Sequence, residues 1–539
     1  MNQRANDGAE CDYVSSENHS SENKKMKPLF AFDTAVNSAY NTAGMQKFVL
    51  LLLLLSCCAF GWEPREVVVV YNADSELSRE AMNRYCAARH IPQKNRFALY
   101  GLTRADISRR DYDIKVKSQL LSQARDRRLV WPTLSRDGGK EIKAMVLMPD
   151  LPLRIKEEVK EGQKKNGNTP GNAAALDSEL MLLGATYELN SLINNPCFKK
   201  PEQVAAGARQ RIMCVCRIDG PSRESIMNMI NDPHKVERSG LWGWTVVDTG
   251  GKYKQGDLMM EGIAELCHTR RMPLFYEKTG STIPNDYPLP DNTVCYFGWY
   301  TNPANGPFRQ ESATGFRFAP GAIAFHLHSY SATSLHDGKT WVSALLKRGA
   351  AVTAGNVAEP YLGPSLNCDV FFQHLAAGKQ VGEAALIASP SASWQCIILG
   401  DPLYRPFPAS GLRPSATNAF VRWRKMVNFF KGDIALMKKA VDEELPRKDG
   451  AVFAESYAGI CRQAGKLQEA EHYYLEASKK YTRAQDVLRC QLCRAYVQKE
   501  DGRPSDASQS VDAIQAKFGK SVFEAAVKKA VGDLAVEKK

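Results

Sequence analysis

Two histidines and three hydroxyl side chains stand within six residues in the segment Ala324-Phe-His326-Leu-His328-Ser329-Tyr330-Ser331. Because alternate residues of a β-strand share a face, a strand that ends here places His326 and His328 on the same side. Three interpretations stay open. His328 beside Ser329 would suit acid–base or nucleophilic chemistry, the two imidazoles would suit a metal ion, or both are hydrogen-bonded core residues.

A second set of candidate residues consists of polar side chains at turns and strand ends. Asp177 and Glu179 occur in Leu-Asp-Ser-Glu-Leu, and Asn356 and Glu359 follow the apolar segment 350–354. Loops beyond the carboxyl ends of strands carry function in parallel sheets, so Asn356 and Glu359 are candidates for binding as well as for capping. No P-loop, GxSxG, HExxH or GxGxxG motif occurs in the context it requires, which argues against the commonest nucleotide-binding, α/β-hydrolase and zinc-peptidase classes.

The segments that position these residues alternate between buried strands and helices. Apolar, β-branched runs predict strands over 66–72, 97–100, 142–148, 211–217, 243–248, 294–298, 322–328, 350–354 and 395–399. Amphipathic stretches between several of these runs predict helices, and Gly and Pro mark the strand ends. This alternation predicts an α/β domain over 63–407 that is built on a mainly parallel sheet.

Beyond a basic, proline-containing and partly helical connector over 408–449, the sequence predicts only helices. Three small residues recur 37 positions later, Ala458, Gly465 and Ala470 as Ala495, Gly502 and Ala507. Small residues at such positions let paired helices cross closely, and glycine turns the chain between them, as in tetratricopeptide repeats. We therefore predict an all-α, tetratricopeptide-like repeat domain over 450–535, with a flanking helix that completes the stack. A generic helical hairpin is the alternative.

The first 61 residues predict export rather than a folded core. Residues 1–44 are polar and lack apolar periodicity, which predicts disorder, and we interpret them as lying upstream of a start at Met45. Residues 45–61 then read as a signal peptide with an apolar run too short to span a membrane. Ala59-Phe60-Gly61 fits cleavage to a soluble product, whereas Leu54-Leu55-Ser56-Cys57 resembles a lipobox that would acylate Cys57 and anchor the protein to a membrane.

Composition and charge limit the classes of function. The 539 residues are 44% hydrophobic and 24% charged, as in globular proteins, and 71 Lys and Arg against 59 Asp and Glu give a net charge of +12. The basic residues are scattered rather than interleaved with aromatics, so we predict no nucleic-acid partner. The 14 cysteines show no disulfide spacing, and we interpret Cys214, Cys216, Cys490 and Cys493 as buried apolar residues.

Several motifs in succession resemble those of a family of exported bacterial proteins that has no assigned activity. They are Met148-Pro-Asp-Leu-Pro-Leu-Arg154, Asp177-Ser-Glu-Leu180, Arg217-Ile-Asp-Gly-Pro221, Phe297-Gly-Trp-Tyr300, His326-Leu-His-Ser-Tyr-Ser-Ala332, Gly355-Asn-Val-Ala-Glu-Pro-Tyr361 and Gly400-Asp-Pro-Leu-Tyr-Arg-Pro406. The resemblance covers residues 66–407 and implies export and a single large domain. It implies no activity.

The second half of this region is also similar in motif order to gingipain-type cysteine peptidases, which have a caspase-like α/β fold. These peptidases carry a catalytic histidine after one strand and a catalytic cysteine after the next. The corresponding stretches here read Gly298-Trp299-Tyr300 and His328-Ser329-Tyr330-Ser331, so neither residue is in place. The resemblance implies the fold without the thiolate nucleophile and its histidine base, and we expect no cysteine-peptidase activity.

The caspase-like strand order would bring the loops after Gly298 and His328 to neighbouring positions. Side chains from these loops and from the next one then meet at one end of the sheet. We expect a concave, partly apolar binding pocket there, formed by Trp299, Tyr300, His326, Asn356, Glu359 and Asp177. The catalytic candidates are His328 and Ser329.

These inferences lead to an exported envelope protein, periplasmic or extracellular, with a degenerate gingipain-like fold. We expect it to bind a peptide or small ligand at the pocket and a protein partner through the helical repeats. Two alternatives stay open: a hydrolase with its site at the His326, His328 and Ser329 strand end, and a metal-dependent enzyme with His326 and His328 as ligands. The sequence indicates no particular cofactor.

Overall fold

A computed structural model gives the architecture of the chain. It describes residues 61–131, 142–158, 172–185, 187, 192–205, 212–278, 280, 282–359, 361–393, 395–408 and 418–535. The segment 1–44 and the signal segment up to residue 60 lie outside these residues, and so do the predictions made for them. The described α/β region and helical region belong to one compact unit that begins at Gly61.

Two sheets with mainly parallel strands form the α/β region. The strands are β1 (Val67–Asn72), β2 (Arg96–Leu99), β3 (Ala144–Leu147), β4 (Arg154–Ile155), β5 (Ala174–Ala175), β6 (Cys214–Arg217), β7 (Trp244–Asp248), β8 (Leu274–Glu277), β9 (Thr293–Gly298), β10 (Ile323–His326), β11 (Thr353–Asn356) and β12 (Cys396–Leu399). The first sheet has the order β11-β12-β6-β3-β1-β2 and the second the order β10-β9-β7-β8, while β4 and β5 form a short antiparallel pair. Within the two larger sheets only β11 and β12 pair antiparallel.

The continuous β-branched run in β1 shows why the sheet forms. Val67, Val68, Val69 and Val70 are all fully buried. Val67 and Val69 belong to one hydrophobic core, whereas Val68 and Val70 belong to another. Both faces of the strand are therefore covered, as a parallel sheet between helices requires.

Helices connect these strands and cover both faces. They are α1 (Glu76–Arg89), α2 (Arg109–Asp111), α3 (Ser118–Asp126), α4 (Leu176–Leu180), α5 (Pro201–Ala205), α6 (Arg223–Val236), α7 (Lys254–Thr269), α8 (Trp341–Lys347), α9 (Cys368–Ala376) and α10 (Val381–Ala388). A π-helical segment, Tyr112–Lys117, joins α2 to α3. The hydroxyls of Ser75 and Ser222 cap α1 and α6 by accepting a backbone N–H of the first turn.

The junction between the two sheets places the functional loops. Val352 forms a parallel bridge with Ile323 of β10, and the chain then pairs antiparallel with β12 from Thr353 onward. The sequence predicts this strand at 350–354, but Ala351 and Val352 bond to residues 322–324 at the start of β10, so the strand that pairs with β12 begins at Thr353. Because β11 runs parallel to β10, the carboxyl ends of β7, β9, β10 and β11 lie at the same edge.

The carboxyl-terminal region is helical, with α11 (Ala419–Phe429), α12 (Ile434–Glu444), α13 (Gly450–Gln463), α14 (Leu467–Lys480), α15 (Ala484–Glu500), α16 (Pro504–Phe518) and α17 (Glu524–Leu534). Gly465 and Gly502 turn the chain between α13 and α14 and between α15 and α16, with φ values of 73° and 74° that favour glycine. The small residues predicted at the crossings are fully buried, namely Ala458, Ala470, Ala495 and Ala507. An α/β region with a mainly parallel sheet, followed by helices, is thus confirmed.

One face of the helical region packs on the α/β region. Leu488 and Leu492 of α15 share a hydrophobic core with Ile283, Tyr287 and Leu289, which follow β8. The described helices do not include one that combines the length and the apolar composition needed to cross a membrane.

Candidate functional site

His326 is a buried, neutral histidine whose two ring nitrogens are both used inside the protein. Its Nε2 lies 3.2 Å from the backbone nitrogen of Thr301, which can only donate, so Nε2 accepts and Nδ1 carries the proton. Nδ1 then donates to the Tyr296 hydroxyl at 2.9 Å. The indole of Trp341 stacks on the imidazole with ring centroids 3.4 Å apart. Burial, together with the neighbouring His328, lowers the pKa of His326 well below its usual value.

These contacts leave His326 without a free nitrogen for a metal ion. In the part of the chain that the structure describes, no three His, Cys, Asp or Glu side chains converge as a metal site would require. Of the three interpretations of the two histidines, the hydrogen-bonded core residue fits His326.

His328 occupies a different environment, nearer the protein surface. Its imidazole lies against the Tyr300 ring with centroids 4.6 Å apart, and its Nδ1 is buried without a hydrogen-bond partner among the described residues. Burial lowers the pKa of His328, and the Lys252 charge adds to this effect, whereas the Ser329 backbone and the Glu359 charge oppose it. His328 is therefore mainly neutral at pH 7.

Ser329 is not paired with His328. Its hydroxyl donates to the Glu359 carboxylate at 2.9 Å, and the same carboxylate oxygen accepts the backbone N–H of Tyr361. A serine hydrolase needs its hydroxyl within hydrogen-bond reach of the base that activates it. The two catalytic candidates are adjacent in sequence but do not form that pair here.

Asn356 fixes the main chain beside His328. Its Nδ2 donates to the His328 carbonyl at 3.3 Å and to the Ser365 hydroxyl at 3.1 Å, while its Oδ1 is buried without a partner in the described part of the chain. His328 and Asn356 both line a cavity of about 10 Å³. That volume holds one water molecule at most, so the cavity has no room for an organic ligand.

The Trp299 ring packs edge-on against the Tyr300 ring, with centroids 5.5 Å apart. Trp299 is fully buried and donates its indole N–H to Asp257 at 2.8 Å. The Lys252 ammonium lies 4.3 Å from the centroid of the Tyr300 ring, and Tyr253 packs edge-on against the same ring at 6.4 Å. The first contact has the geometry of a cation–π interaction.

Lys252 and Tyr253 were missed by reasoning from the sequence. They belong to the loop after β7, which carries no recognised motif. The sequence does predict the strand at 243–248, which precedes this loop. In a parallel sheet its carboxyl end lies at the same edge as the carboxyl ends of the neighbouring strands, so the loop could have been placed near Tyr300.

Three exposed tyrosines, Tyr253, Tyr330 and Tyr361, belong to the loops around Tyr300 and His328, and we call them the tyrosine rim. Their exposed fractions are 57%, 45% and 57%. Tyr330 and Tyr361 have φ values of 57° and 59°, a left-handed conformation that is uncommon for bulky residues. The fold therefore holds two large aromatic side chains in solvent at a conformational cost.

Asp177 does not join this group. Its carboxylate forms a buried ion pair with Arg217, whose Nη2 lies 2.6 Å from Oδ2. The neighbouring Glu179 is paired in the same way with Arg109. Both carboxylates are therefore engaged by buried arginines and are not free to bind a ligand.

A histidine–carboxylate pair that the sequence did not reveal lies in the loop after β10. Nε2 of His336 is 3.0 Å from Oδ1 of the buried Asp219, which follows β6 and lies 3.8 Å from Arg217. His336 and Asp219 are 117 residues apart, so only the folded chain brings them together.

A comparison of the chain with protein-family models, with curated proteins and with solved structures finds no match. The chemistry of the site therefore carries the functional argument.

Proposed function

We propose that this protein binds an extended peptide segment across the tyrosine rim and does not hydrolyse it. The rim is the observation that carries the proposal. Tyrosine offers a large apolar surface and a hydroxyl at little cost in side-chain entropy, and exposed aromatics are enriched in binding surfaces. Lys252 and Glu359 add one charge of each sign beside the rim, where they would pair with polar groups of a peptide.

The surface around the tyrosine rim fits an extended ligand better than a compact one. The cavity that reaches His328 and Asn356 is too small for an organic molecule, whereas the three rim tyrosines are exposed on loops that follow three different strands, β7, β10 and β11. A peptide crossing the surface would contact several loops at once. We therefore favour a peptide over the small ligand that the sequence left open.

Among the site residues that the structure describes, no nucleophile–base pair is found, and this supports binding without cleavage. Ser329 is bonded to Glu359, and the stretch that corresponds to the catalytic histidine of gingipain-type peptidases carries Trp299 and Tyr300 instead. A degenerate gingipain-like fold that retains its binding end fits both observations. We propose the caspase-like fold of the α/β region on the same grounds.

A second binding surface is proposed on the helical repeats, in keeping with a tetratricopeptide-like stack. The face formed by Leu488 and Leu492 is already covered by residues that follow β8. A protein partner would therefore use the opposite face. Export through the signal segment at 45–61, to the periplasm or the cell exterior, completes the proposed role as an envelope protein, with membrane attachment if Cys57 is acylated.

An array of immobilised 12-residue peptides tests the proposal with purified protein. Peptides that bind are then titrated against the Tyr253→Ala and Tyr361→Ala variants, and we expect each variant to bind about tenfold more weakly. Tyr100→Ala is the matched control, because Tyr100 is 58% exposed and follows β2 at the edge of the first sheet. Mass spectrometry should recover the bound peptides intact.

Three outcomes would contradict the proposal. Absence of peptide binding is the first, and an equal loss of affinity in the Tyr100→Ala control is the second. The third is peptide cleavage that disappears in Ser329→Ala, which would favour the hydrolase.

A further inference from the structure

A cavity of about 500 Å³ lies at the other end of β7 and β9 from the tyrosine rim. Gly243 and Val294 border it at the amino-terminal ends of these strands, and the carboxyl end of α7 and the length of α11 form its sides. A cavity of this volume accommodates a drug-sized ligand. It shares no residue with the tyrosine rim or with the loops that carry it.

Aromatic side chains form a firm apolar wall in this cavity. Trp423 is fully buried, and its indole N–H donates to the Arg271 carbonyl at 2.8 Å. Phe420 packs edge-on against Trp244, with ring centroids 6.2 Å apart. Because both rings are held by contacts within the protein, the wall is formed before any ligand arrives.

Four cationic side chains line the same cavity, Arg270, Arg271, Arg424 and Lys431, and the described lining contains no carboxylate. Arg424 lies over the Trp242 ring at 4.2 Å from its centroid. Burial and the nearby Arg270 lower the pKa of Arg424, as expected where positive charges are gathered without a counter-ion.

These cations have few acceptors in the protein. Arg270 donates to the Ala376 carbonyl, and Arg271 donates through Nε to the Gly432 carbonyl at 3.0 Å and through Nη1 to the His268 carbonyl at 3.2 Å. A guanidinium has five N–H donors, so each of these two side chains keeps N–H groups for other partners. None of the four cations forms an ion pair with a carboxylate of the described residues. Several buried or partly buried arginines elsewhere do so, among them Arg89, Arg109, Arg217, Arg422 and Arg489, whereas Arg127 and Arg348 donate to backbone carbonyls instead.

We propose that this cavity binds an organic anion with a carboxylate or phosphate head group and an apolar body. The head group would be the counter-ion of the four cationic side chains. Planar guanidinium groups bind carboxylates and phosphates through paired hydrogen bonds. The aromatic wall would cover the body. This ligand site is separate from the proposed peptide site and does not depend on it.

Three probes with the same chain test the proposal: decanoate, decyl phosphate and decanol. Each is titrated into the purified protein below its micellar concentration and followed by isothermal titration calorimetry. We expect at least one of the two anions to bind tenfold or more tightly than the alcohol, and the tighter anion identifies the head group. Equal affinity for all three probes, or no binding of either anion, would overturn the proposal.

Variants of the cations locate the binding. Arg424→Gln and Arg270→Gln should each weaken anion binding about tenfold, the loss expected for one charge-assisted hydrogen bond, and should leave decanol binding unchanged. Lys425→Gln is the matched control, because Lys425 is exposed on α11 next to Arg424 and does not line the cavity. An equal loss of anion affinity in Lys425→Gln would show that the anion is attracted to the basic surface in general and not bound in the cavity, and it would overturn the proposal.

Hydrogen exchange supplies a readout that does not depend on affinity. The bound anion should protect amides at 419–431 and leave those at 299–300 and 328–331 unchanged. Protection at the second set alone would place the ligand at the tyrosine rim and refute the cavity site. Should Arg424→Gln fail to fold, Arg270→Gln gives the same test from an exposed position.

Discussion

The Ser329 hydroxyl donates to the Glu359 carboxylate, with Oγ and Oε1 2.9 Å apart. The same oxygen accepts the backbone N–H of Tyr361 at 2.9 Å. A single carboxylate therefore ties the loop after β10 to the loop after β11. Each of these loops carries one tyrosine of the rim, Tyr330 or Tyr361, so Glu359 sets the distance between them.

Replacing Glu359 by alanine is expected to loosen both loops without unfolding the sheet. The variant removes the acceptor of two hydrogen bonds, which together are worth roughly 1–3 kcal/mol of the free energy of unfolding. We expect faster amide exchange at 328–331 and 361–365, measured by hydrogen–deuterium exchange and mass spectrometry. Glu80→Ala, which removes the exposed partner of Arg223, is the control. Unchanged exchange in both loops would show that Glu359 is not their anchor.

The cysteines are expected to react slowly with alkylating reagents in the folded protein. All cysteines of the described residues are buried except Cys396, which is half-buried. Burial raises the pKa of Cys86 to about 11 and those of Cys197 and Cys396 to about 12, and the thiolate is the reactive form.

Brief treatment with iodoacetamide at pH 8, followed by peptide mapping, measures this reactivity. We expect few adducts at the described cysteines in the native protein and complete modification in guanidinium chloride. Rapid, stoichiometric modification of any of them in the native state would contradict the prediction and reopen a role for a nucleophilic thiol.

The stability of the protein should fall in mild acid because His326 is buried in its neutral form. Its folded-state pKa lies well below the value near 6.5 of an unfolded chain. As the pH falls through about 6.5, the unfolded chain takes up a proton that the folded protein does not. The free energy of unfolding then decreases by up to about 1.4 kcal/mol per pH unit, until the folded-state pKa is reached.

The variant His326→Gln removes this titration. We expect it to be less stable than the wild type at pH 7, because the stacking on Trp341 is lost, and to show a flatter decline in stability between pH 7 and pH 5. Urea denaturation at a series of pH values measures both effects. His472→Gln, at an exposed position of α14, is the control. An unchanged slope in His326→Gln would refute the assignment.

The strands were predictable because local sequence determines them. A continuous apolar run such as 67–70 must be covered on both faces, and the structure divides it between two cores. The turns at Gly465 and Gly502 were also predictable from local sequence. The two glycines recur with the same spacing as the small residues at which the paired helices pack closely. The division of the strands into two sheets was not predicted. It depends on whether the residues before Thr353 pair with β10 or with β12, and the local sequence does not specify that choice.

The partners of the charged residues could not be predicted. Asp177 and Arg217 stand 40 positions apart, and nothing in either segment specifies the other. Tyr300 and His328 follow neighbouring strands, so the strand order was enough to suggest their contact. Lys252 follows β7, the neighbour of β9 on its other side, so the same strand order brings its loop beside Tyr300.

Breaking the Asp177–Arg217 pair should destabilise the protein strongly. Arg217 is fully buried and donates to Asp177 and to the carbonyls of Leu151 and Pro152. Arg217→Met would leave the Asp177 carboxylate buried without its partner, which costs about 3–5 kcal/mol. Urea denaturation measures the loss in the free energy of unfolding.

Two further variants separate the charge effect from the loss of packing. Lys528→Met breaks the exposed ion pair with Glu524 and should change the stability by less than about 1 kcal/mol. The double variant Asp177→Leu, Arg217→Met removes both buried charges, so it should recover part of the stability lost in Arg217→Met, although Asp219 then lies near an apolar side chain. If the double variant is no more stable than Arg217→Met, the unpaired Asp177 carboxylate is not the source of the loss. The carbonyls of Leu151 and Pro152, or the buried Asp219 carboxylate 3.8 Å from Arg217, would then be the contacts of Arg217 that matter.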